Sequence, residues 1–202
     1  MAAKGSIVCD TRREAQEALG RIMQERVFGK AGDVVVIEEY LTGQEVSVLA
    51  FTDGRTVLPM ILAQDHEAAY DGDLGPNTGG MGCYAPAPLL KGPLMERVVD
   101  RVLRATINGL RRLVTPYVGV LYAGLMVSED DFHVLEFNCR FGDPETQVIL
   151  PLLKTDLVSV MAACLDGRLD QIELDWSNDA CVCVVMASGG YPGKYERGYE
   201  ID

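Results

Sequence analysis

The stretch that decides the fold is Val134-Leu135-Glu136-Phe137-Asn138-Cys139-Arg140-Phe141-Gly142-Asp143-Pro144-Glu145. An apolar, β-branched and aromatic run leads into a Gly-Asp-Pro turn, which predicts a strand that ends in a loop. Residues two apart on a strand share a face, so Glu136 and Asn138 present a carboxylate and an amide oxygen side by side. Two such hard ligands suit a magnesium ion, and the guanidinium of Arg140 just beyond them could hold a phosphoryl oxygen. Alone, the Glu-x-Asn pattern is more typical of an edge strand with solvated polar residues.

The overall charge of the chain limits the class of partner. Its 202 residues are enough for one large domain or parts of two, and 48% hydrophobic content allows a sizeable core. The 18 basic and 30 acidic residues give a formal net charge of −12. This balance disfavours nucleic acid and anionic membranes as partners. It is compatible with a phosphate ligand, because a metal ion and backbone amides can supply local positive charge.

Cysteine and histidine usage indicates an intracellular protein. The 6 cysteines have no CxxC spacing and there are only 2 histidines, so a zinc site has few ligands available. We expect reduced, mostly buried thiols. Neither a signal-peptide pattern nor an apolar run long enough to span a bilayer is present in the sequence. These features predict a soluble, cytoplasmic protein.

The order of the predicted elements favours an α+β fold. Up to residue 62 we predict a helix over 10–24 with Asp10 as its N-cap, a strand covered on both faces over 34–37, and a hairpin of strands 45–51 and 56–62. The polar, glycine-rich segment 64–82 is predicted to be a long functional loop. Beyond it we predict a helix over 93–113, a hairpin of strands 118–127 and 132–138, helices over 144–153 and 156–167, and a strand over 181–186. Hairpins with helices laid across them indicate α+β rather than a parallel sheet.

A candidate nucleotide site lies at the predicted end of the strand over 34–37. There Glu38-Glu39-Tyr40-Leu41 offers a backbone carbonyl and, three residues on, a backbone amide, which together can pair with adenine. Glu45, a few residues later, could accept from ribose hydroxyls. The competing interpretation is a strand end with exposed acids.

The segment Gly75-Pro76-Asn77-Thr78-Gly79-Gly80-Met81-Gly82 is the second candidate. Glycines allow consecutive amides to converge on an anion. The segment matches neither a Walker loop nor GxGxxG, so a plain surface loop is the competing interpretation. Asp65-His66 at its start could supply a general base, although a histidine beside a loop is more often structural.

These stretches, taken together with Leu121-Tyr122-Ala123-Gly124-Leu125-Met126, resemble the phosphoribosylamine–glycine ligase family, also called glycinamide ribonucleotide synthetase. The hinge Val36-Ile37-Glu38-Glu39 and the tail Val185-Met186-Ala187-Ser188-Gly189-Gly190-Tyr191-Pro192-Gly193 match in the same order, so the resemblance covers nearly the whole chain. The family implies a partial ATP-grasp fold and a role in de novo purine biosynthesis. The sequence around these motifs is most similar to that of animal members, which are fused to other purine-synthesis domains.

The resemblance implies a reaction and a metal site. ATP phosphorylates the carboxylate of glycine, and the amine of 5-phosphoribosylamine displaces phosphate to give glycinamide ribonucleotide. Glu136 and Asn138 would ligate Mg²⁺ or Mn²⁺, in agreement with the strand geometry. Arg140 and Asp143 would be catalytic. Positioning and charge neutralisation dominate catalysis of this kind.

The remaining site residues also follow from the resemblance. ATP would be bound by Lys4, Glu38, Glu39, Leu41 and Glu45. A loop closing over the substrates would contain Asp65, His66, Asn77, Thr78, Gly79 and Gly80. The implied domains are a remnant of the first ATP-grasp subdomain over 1–37, the second subdomain over 38–167, and the beginning of a small β-rich C-terminal domain over 168–202.

The sequence also departs from the family. Met1-Ala2-Ala3-Lys4-Gly5 begins inside the family's Gly-Lys-Gly loop, its Lys-Ala-Asp-Gly lysine is absent, and Glu67-Ala68-Ala69 stands where a basic pair is usual. We therefore expect a fragment or short isoform with little or no ligase activity of its own. The alternatives are a non-catalytic nucleotide- and metal-binding fragment, or another ATP-grasp carboxylate–amine ligase, which would need a different glycine segment.

Overall fold

The computed structural model describes residues 7–200. The chain divides into two compact units, unit 1 over Met1–Thr42 and unit 2 over Gly43–Asp202. The domain boundaries predicted after residues 37 and 167 refer to the full-length family and stay predictions. No helix within the described range is both long and apolar enough to cross a membrane.

In the described part of unit 1, helix α1 (Arg12–Leu19) is extended by a π-helical turn over Gly20–Gln24, and a short 3-10 helix follows at Gly29–Asp33. The predicted helix is confirmed, but Asp10 as its N-cap is wrong. Thr11 is the cap, and its Oγ1 accepts from the backbone N–H of Glu14 at 3.2 Å. The carboxylate of Glu14 accepts in return from the N–H of Asp10 at 3.0 Å. This reciprocal pair satisfies two N–H groups at once, which explains why the cap lies one residue later.

The strand predicted over 34–37 is wrong. The segment has no regular secondary structure, and Val34, Val36 and Ile37 are between 77% and 80% exposed. No strand is present in residues 7–42 with which it could pair. A β-branched run favours extended backbone, but a strand also needs a neighbour for its ladder of hydrogen bonds, and the local pattern does not reveal one.

Unit 2 has seven strands and four helices. The strands are β1 (Gln44–Thr52), β2 (Val57–Pro59), β3 (Gln64–Tyr70), β4 (Leu74–Ala85), β5 (Gly119–Val127), β6 (Phe132–Asn138) and β7 (Cys181–Val184). The helices are α2 (Pro93–Val98), α3 (Ala105–Arg112), α4 (Thr146–Ile149) and α5 (Leu157–Asp166). A π-helical segment joins α2 to α3. One antiparallel sheet has the order β2-β1-β5-β6 and a second has the order β3-β4-β7. The predicted α+β class is confirmed.

The two predicted hairpins of the first sheet are confirmed. In the β1–β2 turn, one carboxylate oxygen of Asp53 accepts from the backbone N–H groups of Arg55 at 3.0 Å and Thr56 at 2.7 Å, as expected for an Asx turn. β2 is shorter than the predicted 56–62 and ends at Pro59, which has no N–H to donate to the ladder.

The long loop predicted over 64–82 is wrong. Most of this segment forms the β3–β4 hairpin, which turns at Gly72 and Asp73, both with positive φ. The pairing shifts register between His66 and Tyr70, so the hairpin is bulged. Ladder hydrogen bonds are made by the backbone, so a glycine-rich segment can form a strand where a bulge needs unusual φ values, as at Gly80 with φ +106°.

β1 is buried on both faces. Val46, Val48 and Ala50 belong to a cluster that includes residues of the α2–α3 helix, such as Leu103. Leu49 and Phe51 alternate with them and belong to a second cluster, with residues of α4 and α5. The helices thus cover opposite sides of the first sheet, and β6 lies at its edge.

Candidate functional site

The predicted metal pair lies near the end of β6. In the β5–β6 ladder, Glu136 is opposite Gly124 and Asn138 is opposite Tyr122. The side-chain amide of Asn138 donates to Oε1 of Glu136 at 2.6 Å, so the two polar groups are adjacent, as alternation on a strand predicts. Rotating this amide by half a turn exchanges its nitrogen and oxygen, which would bring two oxygens together.

The two predicted catalytic residues follow in the loop after β6. Arg140 donates to the carbonyl of Phe141 at 2.8 Å and approaches Oδ1 of Asn138 at 3.4 Å. Its guanidinium is therefore adjacent to the metal pair and exposed. The carboxylate of Asp143 accepts from the side-chain amide of Gln147 at 2.6 Å. Asp143 is thus engaged with α4, and the structure does not place it against Glu136 or Asn138.

Three carboxylates, those of Glu45, Asp65 and Glu67, line a small pocket beside the predicted metal pair. Glu45 and Ser47 of β1, Asp65 and Glu67 of β3, Tyr122, Gly124 and Leu125 of β5, and Leu135 of β6 contribute to its lining. Burial raises the pKa of Asp65 to about 8, with further contributions from the charges of Glu145, Glu67 and Glu45. Burial likewise raises the pKa of Glu67 to about 7, helped by Glu45 and Glu136. Such a pocket favours a bound proton or cation.

The donor set fits a hard divalent cation. Oδ1 of Asp65 is buried and has no hydrogen-bond partner among the described residues. Within residues 7–200 no group of three or more His, Cys, Asp and Glu is arranged to hold a metal. A cation held by Glu136 and Asn138 would therefore complete its coordination with water and phosphate oxygens, which is the usual arrangement for Mg²⁺.

The predicted ATP-binding residues fall into three groups. Lys4 lies outside the described residues. Glu38 and Glu39 are exposed and Leu41 is half-buried, all within the irregular end of unit 1. Glu45 belongs to unit 2, where partial desolvation and the charges of Asp73 and Glu136 raise its pKa. Glu45 therefore shares the electrostatic environment of the metal pair.

Two amides at the centre of the predicted glycine segment are already hydrogen-bonded. The N–H of Gly80 donates to Oγ1 of Thr78 at 3.0 Å, and the N–H of Gly79 donates to the hydroxyl of Tyr191 at 3.3 Å. Thr78 and Asn77 in turn donate to the backbone and the carboxylate of Glu67, at 2.8 and 3.2 Å. The segment is thus fastened to β3 rather than arranged as an anion nest.

The neighbouring Asp65-His66 pair is divided by the pleat of β3. The side chain of Asp65 faces Gly80, where an added Cβ would meet its carboxylate oxygens at 2.7 and 2.9 Å. His66 is exposed and stacks on Tyr84 with a centroid separation of 6.1 Å. The two side chains therefore do not form the pair that a shared general-base role requires.

A buried network beside the pocket was not predicted. Glu145 is 2% exposed, and its Oε1 accepts from the hydroxyls of Ser47 at 2.8 Å and Tyr122 at 2.5 Å. The two hydroxyls are themselves 2.9 Å apart. One signal was available in the sequence, because Ser47 interrupts the otherwise apolar run from Val46 to Phe51, and a buried polar residue needs a partner.

Comparison with known proteins identifies relatives of the chain. Residues 1–146 match the family model described as phosphoribosylglycinamide synthetase, ATP-grasp (A) domain. The chain is 54% identical over 201 residues to the human trifunctional purine biosynthetic protein adenosine-3, covering 99% of this chain and 20% of that protein. It is 53% identical over 201 residues to phosphoribosylamine–glycine ligase of Rhodopirellula baltica, covering 99% of this chain and 46% of that one.

A solved structure agrees with these matches. The crystal structure of phosphoribosylamine–glycine ligase from Thermotoga maritima superposes with a TM-score of 0.79 at 32% identity, covering 97% of this chain and 49% of that one. A biotin carboxylase complex from Campylobacter jejuni, 17% identical with a TM-score of 0.64, shares the fold. The chain thus spans about a fifth of the trifunctional relatives and just under half of the single ligases.

Proposed function

Because the chain belongs to the phosphoribosylglycinamide synthetase family of ATP-grasp proteins, we propose that it forms the metal- and phosphate-binding part of a phosphoribosylamine–glycine ligase. The reaction of the whole protein would join glycine to 5-phosphoribosylamine at the expense of ATP, through a glycyl phosphate. We propose that the whole protein is cytoplasmic. We also propose that it is fused to further purine-synthesis domains, of the kind that the name of the trifunctional relatives indicates.

One observation carries the proposal. Glu136 and Asn138 are in contact at 2.6 Å at the end of β6, with the guanidinium of Arg140 beside them. A carboxylate, an amide and a guanidinium at this spacing provide two cation ligands and one anion ligand, which is the set that a metal–phosphate complex requires.

Each group has a separate task in the proposed reaction. Glu136 and Asn138 would hold Mg²⁺ or Mn²⁺, and a bound cation offsets the charge of phosphate oxygens. Arg140 would bind a phosphoryl or acyl-phosphate oxygen through its exposed fork of N–H donors. The carboxylates of Glu45 and Glu67 would disfavour an anion in the neighbouring pocket.

The metal assignment predicts a specific loss of cation affinity. We expect Glu136→Gln to weaken Mn²⁺ binding by at least about tenfold, because the substitution removes the charged ligand and keeps its size. Titration of the 202-residue chain with Mn²⁺, followed by calorimetry and by the EPR signal of free Mn²⁺, measures this.

The matched control for that titration is Glu129→Gln. Glu129 is an exposed residue in the turn at the other end of the β5–β6 hairpin. The control should leave Mn²⁺ affinity unchanged. Equal affinities for the wild type, Glu136→Gln and the control would show that the cation binds elsewhere.

A second assay separates a ligase from a binding fragment. We expect the chain to release phosphate in the presence of ATP, glycine and 5-phosphoribosylamine much more slowly than a full-length relative. Heat on titration with Mg²⁺ and ATP, without turnover, would favour the non-catalytic alternative. Turnover at a rate near that of the full-length relative would contradict our expectation of low activity.

A further inference from the structure

We propose that Glu145 is a positioning residue, which fixes the strand-end loop (residues 139–144) beside Glu136 and Asn138 by accepting hydrogen bonds from two strands of the sheet. The functional part of this inference rests on the proposed metal site. The mechanical part, that Glu145 orders the loop, does not depend on it.

The burial of Glu145 is unusual for its type. The buried polar or charged residues in the described part of the chain are Ser47, Thr52, Thr78 and Glu145, and only the last is ionisable. Its Oε1 receives the hydroxyls of Ser47 on β1 and Tyr122 on β5 at 2.8 and 2.5 Å. A carboxylate removed from water loses its hydration, and an apolar side chain of similar volume would be more favourable in the same place.

Glu145 contacts the loop directly at Gly142 and is linked to the strand that precedes the loop through Tyr122. At the loop's start, the bonded Tyr122 is the ladder partner of Asn138, so the network reaches the last residue of β6. At the loop's end, the carboxylate of Glu145 fills the space where a Cβ on Gly142 would lie. The carbonyl of Gly142 accepts from the N–H of Thr146 at 3.2 Å, which fixes the loop to the first turn of α4.

These contacts determine where the loop's functional groups lie. Arg140 is exposed, and its recorded contacts, to Phe141 and Asn138, are both with residues within two positions of it in the sequence. The position of its guanidinium therefore depends on the backbone of the loop. Glu145, through Tyr122 and Gly142, holds that backbone against the sheet. We infer that this is why a buried carboxylate is kept where an apolar residue would pack.

The test removes one hydrogen bond at a time. Tyr122→Phe and Ser47→Ala delete the donors, Glu145→Ala deletes the acceptor, and Glu145→Gln keeps an acceptor oxygen of the same reach. Tyr84→Phe is the control, because it deletes a comparable half-buried hydrogen bond, from the Tyr84 hydroxyl to Gln64 at 2.7 Å. The first readout is amide hydrogen exchange of residues 146–148, whose N–H groups donate to the carbonyls of Gly142, Pro144 and Glu145. The second is the Mn²⁺ affinity of the 202-residue chain.

We expect exchange at residues 146–148 to become at least about tenfold faster in Tyr122→Phe, with little change in α3. Mn²⁺ affinity should fall in the same variant. In the separate variant Glu145→Gln, both readouts should stay within about threefold of the wild type. The control should change neither. If Glu145→Ala fails to fold, the hydroxyl variants decide the question.

Three results would overturn the proposal. Unchanged exchange at residues 146–148 in Tyr122→Phe would show that the loop is ordered without the network. Equally faster exchange in α3 would indicate general destabilisation. Faster amide exchange with unchanged Mn²⁺ affinity would show that Glu145 has a structural role only. If the wild type does not bind Mn²⁺ at all, the proposed metal site fails, and the exchange data alone still decide whether Glu145 orders the loop.

Discussion

Several carboxylates lie around the pocket between β1, β3 and the end of β6, and burial, together with the charges of neighbouring carboxylates, raises the pKa of Glu45, Asp65 and Glu67. Asp65 shows it most clearly, since Oδ1 is buried without a partner among the described residues and its pKa is raised to about 8. An unfolded aspartate has a pKa of about 3.9. The folded chain therefore holds a proton over a pH range in which the unfolded chain has released it.

This difference predicts that stability falls as pH rises. Below about pH 4 both states are protonated, and above about pH 8 both are ionised, so the loss occurs between these values. Glu67, with its pKa raised to about 7, contributes over the lower part of the same range. We expect the free energy of unfolding to decrease by at least about 1–2 kcal/mol between pH 5 and pH 8, measured by urea denaturation in EDTA. Each proton held only by the folded chain gives a slope of about 1.4 kcal/mol per pH unit, and solvent screening of these partly exposed groups reduces the total.

Asp65→Asn should remove most of this decrease, because an amide has no proton to lose in this range. Asp71→Asn, in the exposed turn of the β3–β4 hairpin, is the matched control and should keep it. A decrease of the same size in all three proteins would assign the effect to other groups.

Single elements differ in how far their own sequence specifies them. β1, β5 and β6 were predicted correctly because each is a short run rich in apolar, β-branched or aromatic residues, and strong turn signals lie between them. The β3–β4 hairpin was missed because seven of the 19 residues in its two strands are glycine or alanine, whose side chains carry no periodic signal. The run over 34–37 was predicted wrongly for the opposite reason, since its side chains suit a strand and no partner strand exists in residues 7–42.

The site shows the same division. The adjacency of Glu136 and Asn138 follows from strand geometry alone. The contacts of Glu145 join residues 98 and 23 positions apart, so no local pattern could have revealed them. Local spacing thus predicted the proposed ligands, and tertiary contacts determined what supports them.

The C-terminal end of helix α5 is specified by its own sequence. Gly167 follows its last turn with φ 66° and ψ 32°, and the N–H of Arg168 donates to the carbonyl of Ala163 at 2.9 Å. We expect Gly167→Ala to lower the free energy of unfolding by about 1 kcal/mol, because an L-residue resists this left-handed conformation. Nothing lies within 4 Å of an added Cβ, so the cost is conformational rather than steric. Urea denaturation measures it.

Gly109→Ala is the opposite control for this prediction. Gly109 lies within α3, and an added Cβ there also meets nothing within 4 Å. Because its φ is not positive, we expect alanine to stabilise the protein by up to about 1 kcal/mol. A loss of stability at both positions would mean that the glycines are needed for another reason than backbone conformation.

At the scale of the whole molecule, the two compact units differ in the size of their cores. Both clusters of buried apolar residues lie entirely within unit 2, and so do both sheets. In the described part of unit 1, the buried hydrophobic residue is Ile22. The stability of unit 2 should therefore be a property of its own sequence.

We accordingly predict that residues 43–202, expressed alone, fold cooperatively and bind Mn²⁺ with the affinity of the full chain, because Glu136, Asn138 and Arg140 all belong to unit 2. Circular dichroism during urea denaturation tests folding, and the titration described above tests binding. Leu49→Ala provides the internal comparison, since Leu49 is fully buried between the strands and helices of unit 2. This substitution should lower the free energy of unfolding by about 2–5 kcal/mol, and by the same amount in both lengths of chain. A broad, non-cooperative transition for residues 43–202, or a cost that differs between the two lengths, would show that unit 2 depends on residues 1–42 for its core.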